Sequence, residues 1–199
     1  MSQPGDITRD WFESAFDTLY PVVYAHRTVE AARPECDFAA QHLRINPSDR
    51  LLDLCCGNGR HLVHLLKHTH RCTGLDYSAA LLGMARENTK GRAALVRADM
   101  RKLPFHESFT VIVNFFTSFG YFLDDEENEA AARRLARALK PGGRFLIDFL
   151  NAPYVEETLV PESEKERDGF RILERRWIDD RQRRVNKSTV IEKEGQRLS

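Results

Sequence analysis

A glycine-rich loop, Asp53-Leu54-Cys55-Cys56-Gly57-Asn58-Gly59, lies between a short apolar segment and a helical one. Its glycines allow tight backbone turns and the close approach of a ligand, and a helix that begins behind them presents free N–H groups. A dinucleotide fingerprint needs a third glycine, in the order G-x-G-x-x-G, and Leu62 occupies that position. Asp53 would repel a pyrophosphate but attract an ammonium group. The loop therefore favours a nucleoside ligand that carries an ammonium group over a dinucleotide.

Two further acids follow apolar segments later in the chain. Asp76 ends the segment Gly74-Leu75-Asp76, and a carboxylate there can accept hydrogen bonds from both hydroxyls of a ribose. Asp99 ends the next segment and could accept from an adenine amino group, with Met100 on the purine face. Asp76 as a turn former and Met100 as core filler are the plainer interpretations. Together the three acids predict an adenosine site.

Apolar segments of strand length alternate with helical segments between residues 50 and 150. The predicted strands are 50–54, 72–75, 93–98, 109–116 and 144–150, and the predicted helices between them are 59–68, 78–88 and 124–139. This alternation predicts a doubly wound α/β fold, with a mostly parallel sheet covered by helices on both faces. We expect Pro141-Gly142-Gly143 to stop the last helix. Beyond residue 150, strands over 170–178 and 184–192 predict an antiparallel hairpin.

With these elements in place, the sequence resembles the class I (Rossmann-like) S-adenosylmethionine-dependent methyltransferases. Residues 51–59 are similar to the family's glycine-rich first motif, Asp76 to its ribose-binding acid and Asp99-Met100 to its adenine-contacting pair. Residues 135–143 resemble the helix and turn that lead into the fifth strand. The resemblance covers residues 45–150 and implies S-adenosylmethionine as the cofactor. The residues that it implies as cofactor-binding are Asp53, Cys55, Gly57, Gly59, Asp76, Tyr77, Asp99, Met100 and Phe115.

The aromatic segment Phe116-Thr117-Ser118-Phe119-Gly120-Tyr121 looks most like the small-molecule branch of the family, which includes amine and sugar methyltransferases. This resemblance implies methyl transfer to a nitrogen or oxygen of a small molecule by in-line displacement, with positioning as the protein's main contribution. The substrate candidates are Tyr20, Tyr24, Ser118 and Tyr121, and the general-base candidates are Tyr121 and His26. Tyr20 and Tyr24 would share one helical face, so plain packing is an equally good interpretation of that pair.

The expected organisation is a single methyltransferase domain. Residues 1–45 would form a helical lid, with two helices between Thr8 and Leu43, and residues 46–150 the cofactor-binding core. Residues 151–199 would form the hairpin extension. Thr110 stands where the family often has an acid, and family members usually continue with two more strands. We therefore expect either a fragment or a form that lacks part of the sheet edge.

Composition and charge argue against some classes of binding partner. Lysines and arginines number 30, as do aspartates and glutamates, and the zero net charge argues against non-specific binding of nucleic acid or anionic membranes. The sequence has no signal pattern and no apolar run of membrane-spanning length. Its four cysteines form no paired C-x-x-C motif, which predicts reduced thiols and a cytoplasmic protein. We expect a small-molecule acceptor as partner, while the oligomeric state stays unpredicted.

No metal site is expected. His64 and His68 are one helical turn apart, as zinc ligands can be, but no nearby glutamate or cysteine completes a ligand set. Their spacing also fits an exposed helix face.

Rival functions differ in how well the residues support them. A catalytically silent protein that binds S-adenosylmethionine and an RNA or protein methyltransferase both stay open. Leu62 disfavours a nicotinamide dehydrogenase. Amino-directed DNA methyltransferases usually carry Asn-Pro-Pro-aromatic after the fourth strand, and Asn114-Phe115-Phe116-Thr117 lacks those prolines.

Overall fold

The computed structural model describes residues 19–181 and 183–198 of the 199-residue chain. The chain folds into two compact units. The described part of one consists of residues 19–20 and 24–149, and that of the other of residues 21–23, 150–181 and 183–198. The assignment of both units to one domain stays a prediction. Within the described ranges, no helix combines the length and the apolar character needed to cross a bilayer.

A five-stranded parallel sheet lies at the centre of the first unit. Its strands are β1 (Leu51–Leu54), β2 (Cys72–Asp76), β3 (Ala94–Arg97), β4 (Phe109–Asn114) and β5 (Leu139–Ile147), in the spatial order β3-β2-β1-β4-β5. Every residue of β1 is buried, as expected of a strand covered on both faces. Because the chain adds β2 and β3 on one side of β1 and β4 and β5 on the other, the carboxyl ends of β1 and β4 flank a crevice. The predicted doubly wound fold is confirmed.

Four helices of this unit pack on two separate apolar cores. They are α2 (Arg33–His42), α3 (Arg60–Leu65), α4 (Ala79–Asn88) and α5 (Asp125–Ala138), with 3₁₀ turns at Glu30–Ala32 and Met100–Lys102. A short helix, α1 (Tyr20–Val23), precedes them in the chain. Leu51 belongs to the core with α2 and α3, and Leu52 to the core with α5, because neighbouring residues of a strand face opposite sides. Ser78 caps α4 as predicted, and its hydroxyl accepts from the Leu81 N–H at 3.2 Å.

The turn Pro141-Gly142-Gly143 lies inside β5 and not at the end of α5. The helix ends at Ala138, and Leu139 already pairs with Phe109. The register then shifts, and the next residue of β4 in the ladder pairs with Arg144. Proline has no N–H to donate and Gly142 has a φ of +74°, so this segment leaves the ladder as a bulge. The predicted helix end at Leu139 was right to within one residue, whereas the predicted strand start at Arg144 was five residues too late, and the turn does not stop the helix.

The predicted N-terminal helices fall only partly on described residues. Positions 8–18 lie outside them, and the role of the segment as a lid stays a prediction. The described part contains α1, one 3₁₀ turn and α2, and α2 begins at Arg33-Pro34. Proline suits the first turn of a helix because its missing N–H has no partner there.

The second unit contains a four-stranded antiparallel sheet. Its elements are α6 (Ala152–Thr158), β6 (Glu162–Arg167), β7 (Phe170–Asp179), β8 (Arg184–Lys193) and β9 (Gln196–Arg197), with the strand order β6-β7-β8-β9. The predicted hairpin is confirmed as β7 and β8, and two strands that were not predicted, β6 and β9, extend the sheet on either side. β6 has no apolar residue, and ion pairs such as Arg171 to Glu164, at 2.6 Å, fix it to β7. A strand without an apolar pattern gives no periodic signal.

Candidate functional site

The loop after β1 has a left-handed backbone at three positions. The φ angles are +59° at Cys55, +53° at Gly57 and +74° at Gly59. A Cβ on Gly59 would lie 2.9 Å from the Cβ of Ala85 in α4, whereas a Cβ on Gly57 would meet nothing within 4 Å. Gly59 therefore allows the loop to pack on α4, and Gly57 keeps the space in front of the loop open.

The carboxylate of Asp76, at the end of β2, is fixed by two backbone groups. The Gly57 N–H donates to Oδ2 at 2.8 Å and the Ser78 N–H donates to Oδ1 at 2.9 Å. Burial raises the pKa of Asp76, and these N–H groups act in the opposite direction. Each carboxylate oxygen has a second lone pair, so Asp76 can accept two more hydrogen bonds from a ligand.

Asp99 follows β3 and forms an ion pair with Arg101 across 2.6 Å. Burial tends to raise the pKa of Asp99, but hydrogen bonds from Arg101 outweigh it and hold that pKa below its usual value. Asp99 is therefore an ionised group that only accepts hydrogen bonds.

A cavity with about 640 Å³ of empty space, partly open to solvent, brings these strand ends together. Six of the predicted cofactor residues line it: Cys55, Gly57, Asp76, Tyr77, Asp99 and Met100. Three of the predicted substrate residues also line it: Tyr20, Ser118 and Tyr121. The cavity thus combines two carboxylates with an aromatic, hydroxyl-bearing wall, which is a suitable surrounding for a nucleoside beside a small second ligand.

The loop after β4 carries the aromatic wall in an unusual backbone conformation. Phe116 and Thr117 have φ angles of +67° and +55°. Asp148 holds both residues, because its Oδ2 accepts from the Phe116 N–H at 3.0 Å and its carbonyl accepts from the Thr117 N–H at 3.1 Å. Left-handed geometry at two consecutive non-glycine residues is costly and persists only where such contacts fix it.

Tyr121 is a neutral phenol at neutral pH. Burial raises the pKa of Tyr121 to about 12, although a hydrogen bond with the Thr117 side chain lowers it slightly. A phenol whose pKa is raised keeps its proton at neutral pH, so the basic phenolate form is scarcely present. Tyr121 is therefore better suited to orienting a ligand than to general-base catalysis.

Five predicted site residues do not line the cavity: Asp53, Gly59, Phe115, Tyr24 and His26. Tyr24 packs on Tyr20 in a tilted arrangement with ring centroids 4.5 Å apart, and His26 is exposed. Phe115 is buried in the core and stacks on His61, with ring centroids 4.2 Å apart. Tyr24 therefore supports a residue of the cavity wall, whereas Phe115 is part of the core.

The interpretation of His64 as part of an exposed helix face was wrong. His64 is buried and its Nε2 lies 2.7 Å from the Val29 carbonyl, while His61 Nε2 lies 2.6 Å from Glu35 Oε2. Burial lowers the pKa of His61 although Glu35 opposes this, so a neutral His61 donates its Nε2–H to the carboxylate. α3 packs on the N-terminal segment at both residues, a tertiary contact that the spacing of the histidines could not reveal.

Asp53 is buried next to the loop with an unsatisfied oxygen. Its side chain is almost completely enclosed, and its Oδ2 has no hydrogen-bond partner within residues 19–181 and 183–198. Burial and the charge of Asp76 raise the pKa of Asp53 to about 8, while Arg60 acts against them. A ligand ammonium group near this oxygen would satisfy it.

Two arginines that the sequence analysis did not single out as site residues lie close to the same region. The guanidinium carbons of Arg27 and Arg60 lie 3.4 Å and 5.1 Å from the ring centroid of Phe116. Arg27 Nη1 donates to Tyr20 Oη at 3.0 Å, and Arg60 Nη2 lies 3.4 Å from Glu35 Oε2. Among the described residues, the buried Arg27 Nε makes no hydrogen bond, and Arg60 Nη2 makes only its ion pair with Glu35. Buried cationic donors of this kind suit a ligand carboxylate.

Comparison with known proteins agrees with this geometry. Residues 51–143 match the family model described as a methyltransferase domain. Residues 51–143 therefore form a methyltransferase domain. It is 33% identical over 131 residues to dTDP-3-amino-3,4,6-trideoxy-alpha-D-glucopyranose N,N-dimethyltransferase from Streptomyces venezuelae, an alignment that covers 65% of this chain and 55% of the relative. The chain thus spans about half the length of that curated relative.

Two solved structures extend the comparison to the fold of the methyltransferase domain. The crystal structure of Streptomyces venezuelae DesVI has a TM-score of 0.64 and 27% identity, covering 87% of this chain and 80% of that one. The S-adenosylmethionine-bound structure of CalS10, an amino pentose methyltransferase from Micromonospora echinaspora, has a TM-score of 0.66 and 22% identity, covering 88% of this chain and 80% of that one. The second likeness shows the fold alone.

The residues of this methyltransferase domain fit S-adenosylmethionine. That molecule combines an adenosine with an ammonium group and a carboxylate. The cavity offers it the carboxylates of Asp76 and Asp99, while the Asp53 oxygen and the Arg27 Nε, which have no partner among the described residues, lie outside the cavity lining. Both arginines were missed from the sequence because neither belongs to a local motif.

Proposed function

We propose that this chain binds S-adenosylmethionine and transfers its methyl group to the amino nitrogen of a small molecule, an amino sugar. The observation that carries the proposal is the cavity in which Asp76 and Asp99 meet the wall of Tyr20, Ser118 and Tyr121. The name of the curated relative, an N,N-dimethyltransferase of an amino sugar nucleotide, supports the amine and the sugar. Because the chain has zero net charge, a small acceptor is also favoured over a nucleic acid.

In this proposal, different residues of the chain bind different parts of the cofactor. Asp76 would accept from the ribose hydroxyls and Asp99 from the adenine amino group. Asp53, buried behind the cavity lining, would lie on the side of the ammonium group. Arg27 would bind the carboxylate, with Arg60 beside it. The bound cofactor supplies an electrophilic methyl group on a sulfonium centre.

The acceptor wall positions the amine and excludes water. The Tyr121 phenol stays protonated because burial raises its pKa. Its oxygen still has lone pairs and accepts a hydrogen bond from the amine. That bond aligns the nitrogen lone pair and removes no proton. A neutral amine needs no base before it attacks, and the methylated ammonium that forms releases its extra proton to solvent afterwards. Most of the rate gain therefore comes from orientation.

We also propose a reducing, cytoplasmic location, in which the four thiols stay free.

A transfer assay with matched acceptors tests the proposal. The chain is incubated with methyl-labelled S-adenosylmethionine and either an amino sugar nucleotide or the same sugar with a hydroxyl in place of the amine. We expect label on the amine only, and a Tyr121→Phe variant that transfers roughly tenfold more slowly because it loses one orienting hydrogen bond. Label on the hydroxyl sugar, or on neither compound while the cofactor binds, would contradict the proposed acceptor.

A further inference from the structure

Arg101 makes more contacts with Asp99 than capping the 3₁₀ turn would require. Its Nε donates to both carboxylate oxygens, at 3.1 Å to Oδ1 and 2.9 Å to Oδ2, and its Nη2 donates to Oδ2 at 2.6 Å. Its backbone N–H also donates to Oδ1, at 2.8 Å. One residue thus holds the whole carboxylate in a planar, bidentate arrangement that a lysine could not reproduce.

Two other contacts fix the guanidinium itself. Arg101 Nη1 donates to Glu127 Oε1 at 3.0 Å, in the first turn of α5. The guanidinium carbon lies 4.6 Å from the ring centroid of Phe122, which lines the cavity. Asp99, Glu127 and Phe122 therefore fix the position of the Arg101 guanidinium. The fixed guanidinium in turn holds the Asp99 carboxylate in one orientation.

The Asp99 carboxylate keeps only part of its accepting capacity for a ligand. A carboxylate has about four lone-pair sites, and the three donor groups of Arg101 occupy most of them. Asp99 lines the cavity, and its side chain retains 14% of its exposure. A clamped, ionised Asp99 thus offers a ligand an acceptor in one fixed direction and no donor.

We propose that Arg101 is a positioning residue that makes this methyltransferase domain selective for a 6-amino purine. This inference rests on the proposed function, in which Asp99 faces the adenine amino group. A 6-oxo purine presents an oxygen at the same position, and that oxygen would face the fixed carboxylate without a proton between them. Sites built around a hydrogen bond reject partners that cannot form it.

Without Arg101 the carboxylate keeps its charge but loses its fixed direction. It can then turn to accept from the N1–H of a 6-oxo purine. Removal of the guanidinium should therefore weaken the preference between the two bases, and not merely weaken binding in general.

The experiment compares S-adenosylhomocysteine with S-inosylhomocysteine, its 6-oxo counterpart, by calorimetry on the full chain. We expect the wild type to prefer the adenine compound by at least about tenfold, and Arg101→Met and Arg101→Lys to reduce that preference to less than about threefold. Arg133→Met is the matched control, because Arg133 lies on α5 with its side chain 64% exposed and pairs only with Glu129 among the described residues. This control should keep the wild-type preference.

The affinities of the wild type and the variants separate the role of Arg101 from the proposed function. Reduced affinity for both compounds with an unchanged ratio between them would overturn the selectivity role of Arg101 and leave the proposed function intact. Failure of the wild type to bind either compound would overturn the proposed function together with this inference. Thermal melting of each variant confirms that the folded protein is compared.

Discussion

The backbone N–H of Gly57 donates to Oδ2 of Asp76 at 2.8 Å, and this bond joins the glycine loop to the carboxyl end of β2. The loop needs a left-handed Gly57 to present that N–H, and the buried carboxylate needs N–H donors to offset its burial. The two motifs are 19 residues apart in sequence, yet each stabilises the other in the position where a ribose would bind.

Asp76→Asn should weaken binding of S-adenosylhomocysteine by roughly tenfold or more, because an amide has only one acceptor oxygen for two backbone donors and two ribose hydroxyls. Calorimetry measures the change. Asp37→Asn is a suitable control, since Asp37 is exposed and pairs with Arg33 on α2. An Asp76→Asn variant that binds as tightly as the wild type would refute the ribose assignment.

The two loop glycines should respond differently to alanine. Both have positive φ, so each substitution costs about 1–2 kcal/mol of folding free energy. Gly59→Ala also forces a Cβ to within 2.9 Å of Ala85, and we expect a further loss of about 1–3 kcal/mol. Gly57→Ala should instead reduce ligand affinity, because Gly57 lines the cavity. Urea unfolding and ligand titration separate the two effects, and equal stability losses would contradict this division.

Asp53→Asn should make the ligand-free protein more stable in alkaline solution. The folded state keeps the Asp53 proton up to about pH 8, whereas the unfolded chain loses it near 3.8, so the wild type loses stability as the pH rises between these values. The asparagine variant lacks this loss. Its advantage in unfolding free energy should therefore grow from about pH 4 and level off above about pH 8, at roughly 2 kcal/mol or more. A difference independent of pH would show that Asp53 is ionised throughout.

An Arg27→Gln variant should lose affinity for a ligand with an amino-acid tail but keep its affinity for a ligand without one. Affinity for S-adenosylhomocysteine should fall roughly tenfold, since a charge-assisted hydrogen bond to the carboxylate is lost. Affinity for 5′-methylthioadenosine, which has no carboxylate, should stay the same. The exposed Arg33 supplies the matched control Arg33→Gln. Equal losses for both ligands would mean that Arg27 acts only through the cavity wall at Tyr20.

The sequence predicted those parts of the site that depend on local motifs. Gly57, Asp76 and Asp99 each follow an apolar strand, and a parallel sheet necessarily brings its strand ends to one edge. Arg27 and Arg60 were missed because their positions depend on Phe116, which lies more than 50 residues away in sequence. No periodic pattern encodes a contact of that kind.

The fold was predictable to a similar extent and for similar reasons. Apolar alternation revealed β1 to β4, whereas the all-polar β6 depends on pairing with β7 and has no pattern of its own. His64 was misjudged because the burial of a helix face depends on what packs against it. Here that is the Val29 segment, which spacing alone cannot identify.

Calorimetry of the wild-type chain with S-adenosylhomocysteine and with NAD decides whether the cavity is a site for S-adenosylmethionine. The Asp76 and Asp99 carboxylates that line the cavity predict saturable binding of S-adenosylhomocysteine and no measurable binding of NAD, whose pyrophosphate these two carboxylates would repel. Binding of NAD without binding of S-adenosylhomocysteine would refute the assignment of this cavity.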